Sequence, residues 1–179
     1  NAFIAITGRP NAGKSSLTNL LVGEKISIVS EKPQTTRNRI NGVLTKGETQ
    51  FVFIDTPGML KAKTKLAEHM VKSVRSSVED VDVAILMADV TKKMSGVEQE
   101  LIRSFAQNGT DVVLLLNKID LLKNKEDLLP IIAQYNELYN FTEVIPISVK
   151  RRINTDQILP ALEKYAVEGE HFFPDDIAT

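Results

Sequence analysis

A loop near the start of the chain has the residue types and spacing of a phosphate-binding loop. Residues 8–15 read Gly-Arg-Pro-Asn-Ala-Gly-Lys-Ser, which fits the Walker A pattern. Glycines let such a loop curl until backbone N–H groups converge on phosphate oxygens, and the positive end of the following helix faces the same oxygens. Lys14 would add a mobile cation, and Ser15 is placed to ligate Mg²⁺. The nucleotide-binding residues predicted from this segment are Gly8, Arg9, Pro10, Asn11, Ala12, Gly13, Lys14, Ser15 and Ser16.

A second segment has the chemistry to select a base. Asn117-Lys118-Ile119-Asp120 follows the apolar run 112–116, and open α/β sheets place ligand-binding loops at such strand ends. The Asp120 carboxylate would accept from both N1–H and the 2-amino group of guanine, whereas adenine would leave it partly unpaired. Lys118 can lay its stem along the base, and Asn117 can tie this loop to the phosphate loop. These four residues predict a guanine site.

Two further segments complete the series. Asp55-Thr56-Pro57-Gly58 follows the run 50–54; Asp55 is placed to hold Mg²⁺ through water, and the Gly58 N–H can reach a γ-phosphate. Loss of that phosphate would release the segment beyond it. Backbone N–H groups of 148–150 could contact the guanine oxygen. The residues added to the predicted site are Asp55, Thr56, Pro57, Gly58, Met59, Ser148, Val149 and Lys150.

Strands and helices alternate along most of the chain. β-branched and apolar runs predict strands at 3–7, 40–45, 50–54, 83–87, 112–116 and 143–147. Helical periodicity predicts helices at 15–22, 65–78, 97–107, 128–139 and 157–167, with Asp127 as N-cap of the fourth and Pro130 in its first turn. The four residues between 45 and 50 indicate a hairpin, so one edge strand should be antiparallel. The fold class is therefore α/β, a three-layer sandwich around a six-stranded, mostly parallel sheet.

Composition excludes several classes of protein. The chain has 179 residues, 42% of them hydrophobic, a net charge of -1 and no cysteine. Such a chain is neither mainly disordered nor a disulfide scaffold, and its charge gives no general attraction to nucleic acid. Its longest apolar runs are far below the ~20 residues of a membrane-spanning helix, so a cytoplasmic location is expected.

In sequence order these motifs resemble the translation-factor-like class of P-loop GTPases, and within that class the G domain of the Era family of bacterial ribosome-assembly GTPases. The narrower resemblance depends on residues 8–16 and 55–58, on Lys32-Pro-Gln-Thr-Thr-Arg-Asn-Arg39 and on the tail His171-Phe-Phe-Pro-Asp-Asp176. It implies a P-loop NTPase fold over 1–168, with 169–179 as a linker toward a KH-type RNA-binding domain that this sequence lacks.

The resemblance also implies ligands and partners. GTP and GDP would bind with Mg²⁺, and Thr36 would contact Mg²⁺ and the γ-phosphate only in the GTP state. The partners implied are 16S rRNA and the 30S subunit, mainly through the missing domain, with no DNA. A cytoplasmic protein of this kind can also associate peripherally with the inner membrane.

Hydrolysis would depend on Lys14, Thr36, Gly58 and Asn11. Met59 stands where many small GTPases have a glutamine that orients the attacking water, so we expect slow intrinsic hydrolysis. Asn11 matches the asparagine with which related GTPases ligate K⁺, which predicts K⁺-stimulated turnover; alternatively, Asn11 only bonds the loop backbone.

Other functions remain open at this stage. One alternative is a P-loop kinase or ATPase, against which Asp120 argues. Another is a nucleotide-sensing module without catalysis, which Met59 makes conceivable. A third is the G domain of a related GTPase that acts on tRNA or on the large ribosomal subunit.

Overall fold

The computed structural model describes residues 1–23, 39–55 and 81–167. The predicted helix at 65–78 and the tail at 169–179 lie outside the described residues.

All six predicted strands form one sheet. Five strands run parallel, and the second pairs antiparallel with the third at one edge, as the hairpin predicted. The spatial order is β2-β3-β1-β4-β5-β6. The strands are β1 (Ala2–Gly8), β2 (Arg39–Lys46), β3 (Thr49–Asp55), β4 (Val83–Asp89), β5 (Val112–Asn117) and β6 (Glu143–Pro146).

Four α-helices are present in the described part of the chain: α1 (Lys14–Val22), α2 (Gly96–Asn108), α3 (Leu128–Leu138) and α4 (Ile158–Glu163). The start of α2 is a capping box. The Ser95 N–H and hydroxyl donate to the Glu98 carboxylate, and the Ser95 hydroxyl oxygen accepts from backbone N–H groups of the first turn.

Two helix predictions need correction. Asp127 precedes α3 as expected, but it is already helical and its side chain makes no capping hydrogen bond, because a 3₁₀ turn leads into the helix. The last helix is shorter than the predicted 157–167. A 3₁₀ turn precedes it, and the chain leaves the helix so that the Val167 N–H can donate to the Asn1 carbonyl at 2.7 Å.

The sheet is buried on both faces, which makes it a rigid platform. Leu17 of α1 and Leu162 of α4 pack on one face, while Leu101 and Phe105 of α2 and Tyr135 of α3 pack on the other. Every residue of β4 and β5 is buried, which explains their continuous apolar sequences. Each fully buried large side chain contributes about 1.5–3 kcal/mol.

Strand register brings the ends of four strands to one edge of the sheet. Gly8 of β1 lies opposite Met87 of β4, and Asp89 of β4 lies opposite Asn117 of β5. Asp55, at the end of β3, lies opposite Ile6. The carboxyl ends of parallel strands meet at this edge, and the predicted site segments follow them.

Candidate nucleotide-binding site

The phosphate loop folds back between β1 and α1. Gly8 has a φ of 144°, and a Cβ there would lie 2.6 Å from the Met87 carbonyl oxygen of the neighbouring strand. Only glycine therefore lets the loop leave β1 in this direction. Lys14, the first residue of α1, donates from Nζ to the Gly8 carbonyl at 2.9 Å. The two ends of the loop are thus joined, and α1 directs its N-terminus at the space within.

Asn117 joins the phosphate loop to the two loops of the base side. Its Nδ2 donates to the Ala12 carbonyl at 2.9 Å, and its Oδ1 accepts from the Val149 N–H at 3.1 Å. The residue is 3% exposed, so both hydrogen bonds are shielded from water. The predicted tie between the loops is present in the structure.

Asp120 and Ser148 meet at the base side of the cleft. Ser148 donates from Oγ to Asp120 Oδ1 at 2.8 Å, and the same hydroxyl accepts from the Arg151 N–H. The Ser148 and Val149 N–H groups already donate, to Ile153 and Asn117 respectively. In the segment 148–150, Lys150 is therefore the residue whose N–H has no acceptor among the described residues.

Lys118 is held by two partners outside its own loop. Its φ of 74° is left-handed, and its Nζ donates to the Asn11 carbonyl at 2.8 Å and to Asp89 Oδ2 at 2.9 Å. The other carboxylate oxygen of Asp89 accepts from the N–H and hydroxyl of Thr91. Burial raises the pKa of Asp89, but these hydrogen bonds from Lys118 and Thr91 outweigh it and hold the pKa below its usual value.

Arg9 points away from the cleft and contacts α2. Its Nε lies 3.1 Å from Glu98 Oε1, and a terminal guanidinium nitrogen donates to the Lys93 carbonyl. The Glu98 side chain is 2% exposed, so the ion pair with Arg9 and the hydrogen bonds from Ser95 offset the cost of burying its carboxylate. Arg9 was predicted to be in the nucleotide site; in the structure its side chain contacts Glu98 and does not line the cleft.

The cleft between these loops has a volume of about 1210 Å³. Its lining includes predicted residues from all three described segments of the site and extends beyond them to residues that the motifs did not indicate. The lining residues are Pro10, Asn11, Gly13, Lys14, Ser15, Ser16, Asn19, Leu20, Gly23, Asn117, Lys118, Asp120, Leu121, Ser148, Val149, Lys150 and Arg152.

The donor set at the phosphate end suits a hard cation. Ser15 lines the cleft at the start of α1, and the backbone of β3 ends at Asp55, opposite Ile6 of the strand that leads into the phosphate loop. Hydroxyl and carboxylate oxygens are ligands that Mg²⁺ accepts, together with phosphate and water. The described residues contain no cluster of three or more His, Cys, Asp or Glu that could bind a metal by itself. Among the described residues, Ser15 and Asp55 are therefore the candidate protein ligands, and phosphate oxygens would add to the coordination.

Thr36, Thr56, Pro57, Gly58 and Met59 lie outside the described residues, so their predicted roles stay predictions.

The sequence did not indicate two buried carboxylates that pair with predicted site residues, Asp89 with Lys118 and Glu98 with Arg9. Asp89 is the last residue of a buried strand, just as Asn117 is, and that position could have indicated it. Glu98 had only a capping signal, three residues after Ser95.

The doubly covered parallel sheet, the Walker A loop and the guanine-type loop at one strand edge define a P-loop GTPase domain. The chain belongs to the family described as 50S ribosome-binding GTPases, whose sequence model matches residues 3–118.

Within this class the chain is most usefully compared with Era, and the resemblance expected from the sequence is confirmed. The chain is 43% identical to GTPase Era of Clostridioides difficile over all 179 residues and 39% identical to GTPase Era of Staphylococcus haemolyticus over 176 residues. The chain spans 60% and 58% of the lengths of these relatives.

Solved structures agree with this comparison. A variant of Aquifex aeolicus Era bound to GDP·AlF4⁻ has a TM-score of 0.79, and Era in complex with MgGDPNP and a segment of 16S ribosomal RNA has a TM-score of 0.80. Both are 36% identical to this chain, covering 98% of it and 60% of the solved chain. The predicted six-stranded G-domain fold is confirmed.

No helix in the described ranges is both long and apolar enough to cross a bilayer.

Proposed function

We propose that this protein binds GTP with Mg²⁺ and hydrolyses it to GDP and phosphate, and that the bound nucleotide switches its affinity for an RNA-containing partner. The observation that carries the proposal is the bridge made by Asn117 between the phosphate loop and Val149. One buried side chain thereby fixes the distance between the phosphate end and the base end of a single cleft. Such an arrangement suits a ligand with both a base and a phosphate chain.

Guanine is the base that this cleft favours. Asp120 lines the cleft and has one carboxylate oxygen engaged by Ser148, which orients the group. A carboxylate accepts from the two adjacent donors of guanine, whereas the N1 lone pair of adenine would face its negative charge. This contrast argues against the kinase or ATPase alternative.

Several residues of the predicted site are proposed to take part in hydrolysis. Lys14 and the N-terminus of α1 lie where they can hold phosphate oxygens and stabilise negative charge that develops during transfer. Ser15, Asp55 and Thr36 would hold Mg²⁺, which supplies positive charge to the β- and γ-phosphates when bound. Gly58 is proposed to contact the γ-phosphate. With Met59 instead of a water-orienting glutamine, intrinsic turnover is expected to be slow.

Asn11 is proposed as a K⁺ ligand. It has a left-handed φ of 66°, lines the cleft and contacts Lys118 through its backbone carbonyl. Its side chain makes no hydrogen bond within the part of the chain that the structure describes. An amide oxygen at the rim of the phosphate loop is therefore available to a cation.

The cellular role that we propose is assembly of the small ribosomal subunit and maturation of 16S rRNA. The similarity to Era supports it, because a solved Era complex contains both a GTP analogue and 16S ribosomal RNA. In this proposal residues 1–168 are the G domain, 169–179 link to a KH-type domain that grips the RNA, and the protein is cytoplasmic with peripheral contact to the inner membrane. The alternative is a large-subunit role, which the description of the matching family favours.

Nucleotide binding tests the first part of the proposal. The protein should bind GDP at least about a hundredfold more tightly than ADP, since adenine leaves the Asp120 carboxylate without its donors. Asp120→Asn should lower GDP affinity strongly and favour xanthosine diphosphate, because the amide presents a donor to the xanthine 2-oxygen. The matched control is Asp127→Asn, an exposed residue whose side chain caps nothing. Equal binding of ADP and GDP would refute the guanine assignment.

GTP hydrolysis and the identity of the ribosomal partner are tested by two separate measurements. Phosphate release in a single turnover with excess protein should exceed the uncatalysed rate; no release would indicate a nucleotide-sensing module. Co-sedimentation with purified 30S and 50S subunits, in GDPNP and in GDP, tests the partner. Preferential binding of 50S would favour the large-subunit alternative.

A further inference from the structure

Asp89 holds the Lys118 ammonium at a fixed position between two strands. Lys118 Nζ is 2.9 Å from Asp89 Oδ2 and 2.8 Å from the Asn11 carbonyl oxygen. Asp89 is 8% exposed, whereas the Lys118 side chain is 31% exposed. A partly exposed lysine is thus anchored by a nearly buried carboxylate and by the phosphate loop.

The anchor is itself rigid. Asp89 lies opposite Asn117 in the β4–β5 register, and its second carboxylate oxygen accepts two hydrogen bonds from Thr91. The Val90 N–H also donates to the Asn117 carbonyl at 3.1 Å. Both carboxylate oxygens of Asp89 therefore accept hydrogen bonds, and the backbone around Asp89 is hydrogen-bonded to β5.

The loop that contains Lys118 also contains a carboxylate, Asp120, that must stay available to bind the base. Asp120 is two residues from Lys118 and lines the same cleft. Among the described residues only its Oδ1 accepts a side-chain hydrogen bond, which comes from Ser148. A lysine without a partner is attracted to the nearest anion, and an ion pair with Asp120 would compete with the N1–H and 2-amino donors of guanine.

We propose that Asp89 is a positioning residue for guanine recognition, which holds the Lys118 ammonium against the Asn11 carbonyl and so leaves Asp120 free to bind the base. This inference rests on the proposed guanine-nucleotide function. Asp89 does not contact the base itself; it acts on selectivity through Lys118.

The test compares two diphosphates that differ in one donor. Inosine diphosphate lacks the 2-amino group, so it depends less on a free Asp120 carboxylate than GDP does. Asp89→Asn keeps the shape but must place an amide N–H₂ against either Lys118 or the Thr91 N–H. GDP affinity should fall roughly tenfold, the value of one charge-assisted hydrogen bond, and the preference for GDP over inosine diphosphate should narrow at least about threefold.

The matched control lies at the opposite end of the same strand. Asp82 precedes β4 and accepts from the Phe3 N–H at 2.8 Å, far from the cleft. Asp82→Asn should leave both affinities and their ratio within about twofold of wild type. Should Asp89→Asn fail to fold, Thr91→Val removes one of the bonds that hold the carboxylate, and it should narrow the same ratio to a smaller extent.

A double-mutant cycle separates positioning from general loosening. In a Lys118→Met background, Asp89→Asn should change GDP affinity by less than about twofold, because the group through which it acts is gone. Two results would overturn this inference and leave the proposed function standing. One is that Asp89→Asn weakens the binding of GDP and of inosine diphosphate equally, so that the ratio of the two affinities stays at the wild-type value. The other is that Asp89→Asn lowers GDP affinity as much in the Lys118→Met background as in the wild type. A wild-type protein that does not prefer GDP over ADP would overturn the proposed function and this inference together.

Discussion

Gly13 is the position where a single added methyl group should disconnect the two ends of the cleft. Its φ is 111°, which L side chains rarely adopt, and a Cβ there would lie 2.4 Å from Asn117 Nδ2. No real Cβ contact is that short, so in Gly13→Ala either the loop or Asn117 must move. Since Asn117 links Ala12 to Val149, its displacement would break both hydrogen bonds of the bridge.

The expected loss of stability has two parts. The positive φ costs about 1–2 kcal/mol for alanine. Loss of partners by the buried Asn117 amide adds about 1–3 kcal/mol. We therefore expect the free energy of unfolding to fall by roughly 3 kcal/mol. Because the loops at the two ends of the cleft are then misplaced, we expect the free energy of GDP binding to weaken by about 2 kcal/mol, which corresponds to a roughly 30-fold loss of affinity.

Gly109 provides the matched control. It caps α2 with a φ of 62°, and a Cβ there would meet nothing within 4 Å. Gly109→Ala should thus carry only the backbone cost of about 1 kcal/mol and leave GDP affinity unchanged.

Urea unfolding of the nucleotide-free protein and titration with a fluorescent GDP measure both quantities. If Gly13→Ala loses no more stability than Gly109→Ala, the steric argument is wrong. In an Asn117→Ala background the contact is absent, so Gly13→Ala should add only the backbone cost.

Three further predictions concern other residues that the structure describes. Arg9→Met should lower the free energy of unfolding by about 2 kcal/mol by stranding the Glu98 carboxylate, and adding Glu98→Gln should restore part of it in urea unfolding; no restoration would contradict the ion-pair argument. GTP hydrolysis should be faster in K⁺ than in Na⁺ buffer, and Asn11→Ala should abolish the difference; equal wild-type rates would exclude a K⁺ role. Burial, and secondarily Glu98, raises the pKa of Tyr135, so its contribution to stability is present below its ordinary value of 10.0 and is lost as the pH rises above it. Tyr135→Phe should reduce that alkaline loss in unfolding measured up to about pH 11, and an unchanged pH profile would refute the assignment.

The strands were predictable because their signal is local. Continuous apolar runs such as 83–87 and 112–116 can be satisfied only by burial on both faces, and both became central strands. Helix ends were less predictable. The last helix stops at Glu163 because Val167 pairs with Asn1 at the other end of the chain, which periodicity does not reveal.

The candidate site likewise contains some features that the sequence predicted and others that it did not. Motif spacing located the phosphate loop and Asn117–Asp120, because turn chemistry and the order of donors and acceptors are properties of short segments. The partners of Arg9 and Lys118 were not predictable, since each ion pair joins segments far apart in the chain.

The sequence by itself therefore determined the class of fold, the order of the strands along the chain, and the chemical groups of the proposed guanine-nucleotide site. Only the tertiary structure decided which carboxylate holds Lys118, which holds Arg9, and how Asn117 spans the cleft. The physical reason is that strand register and the burial of charge are set by the whole sheet: β4 had to lie beside β5 before Asp89 could face Lys118.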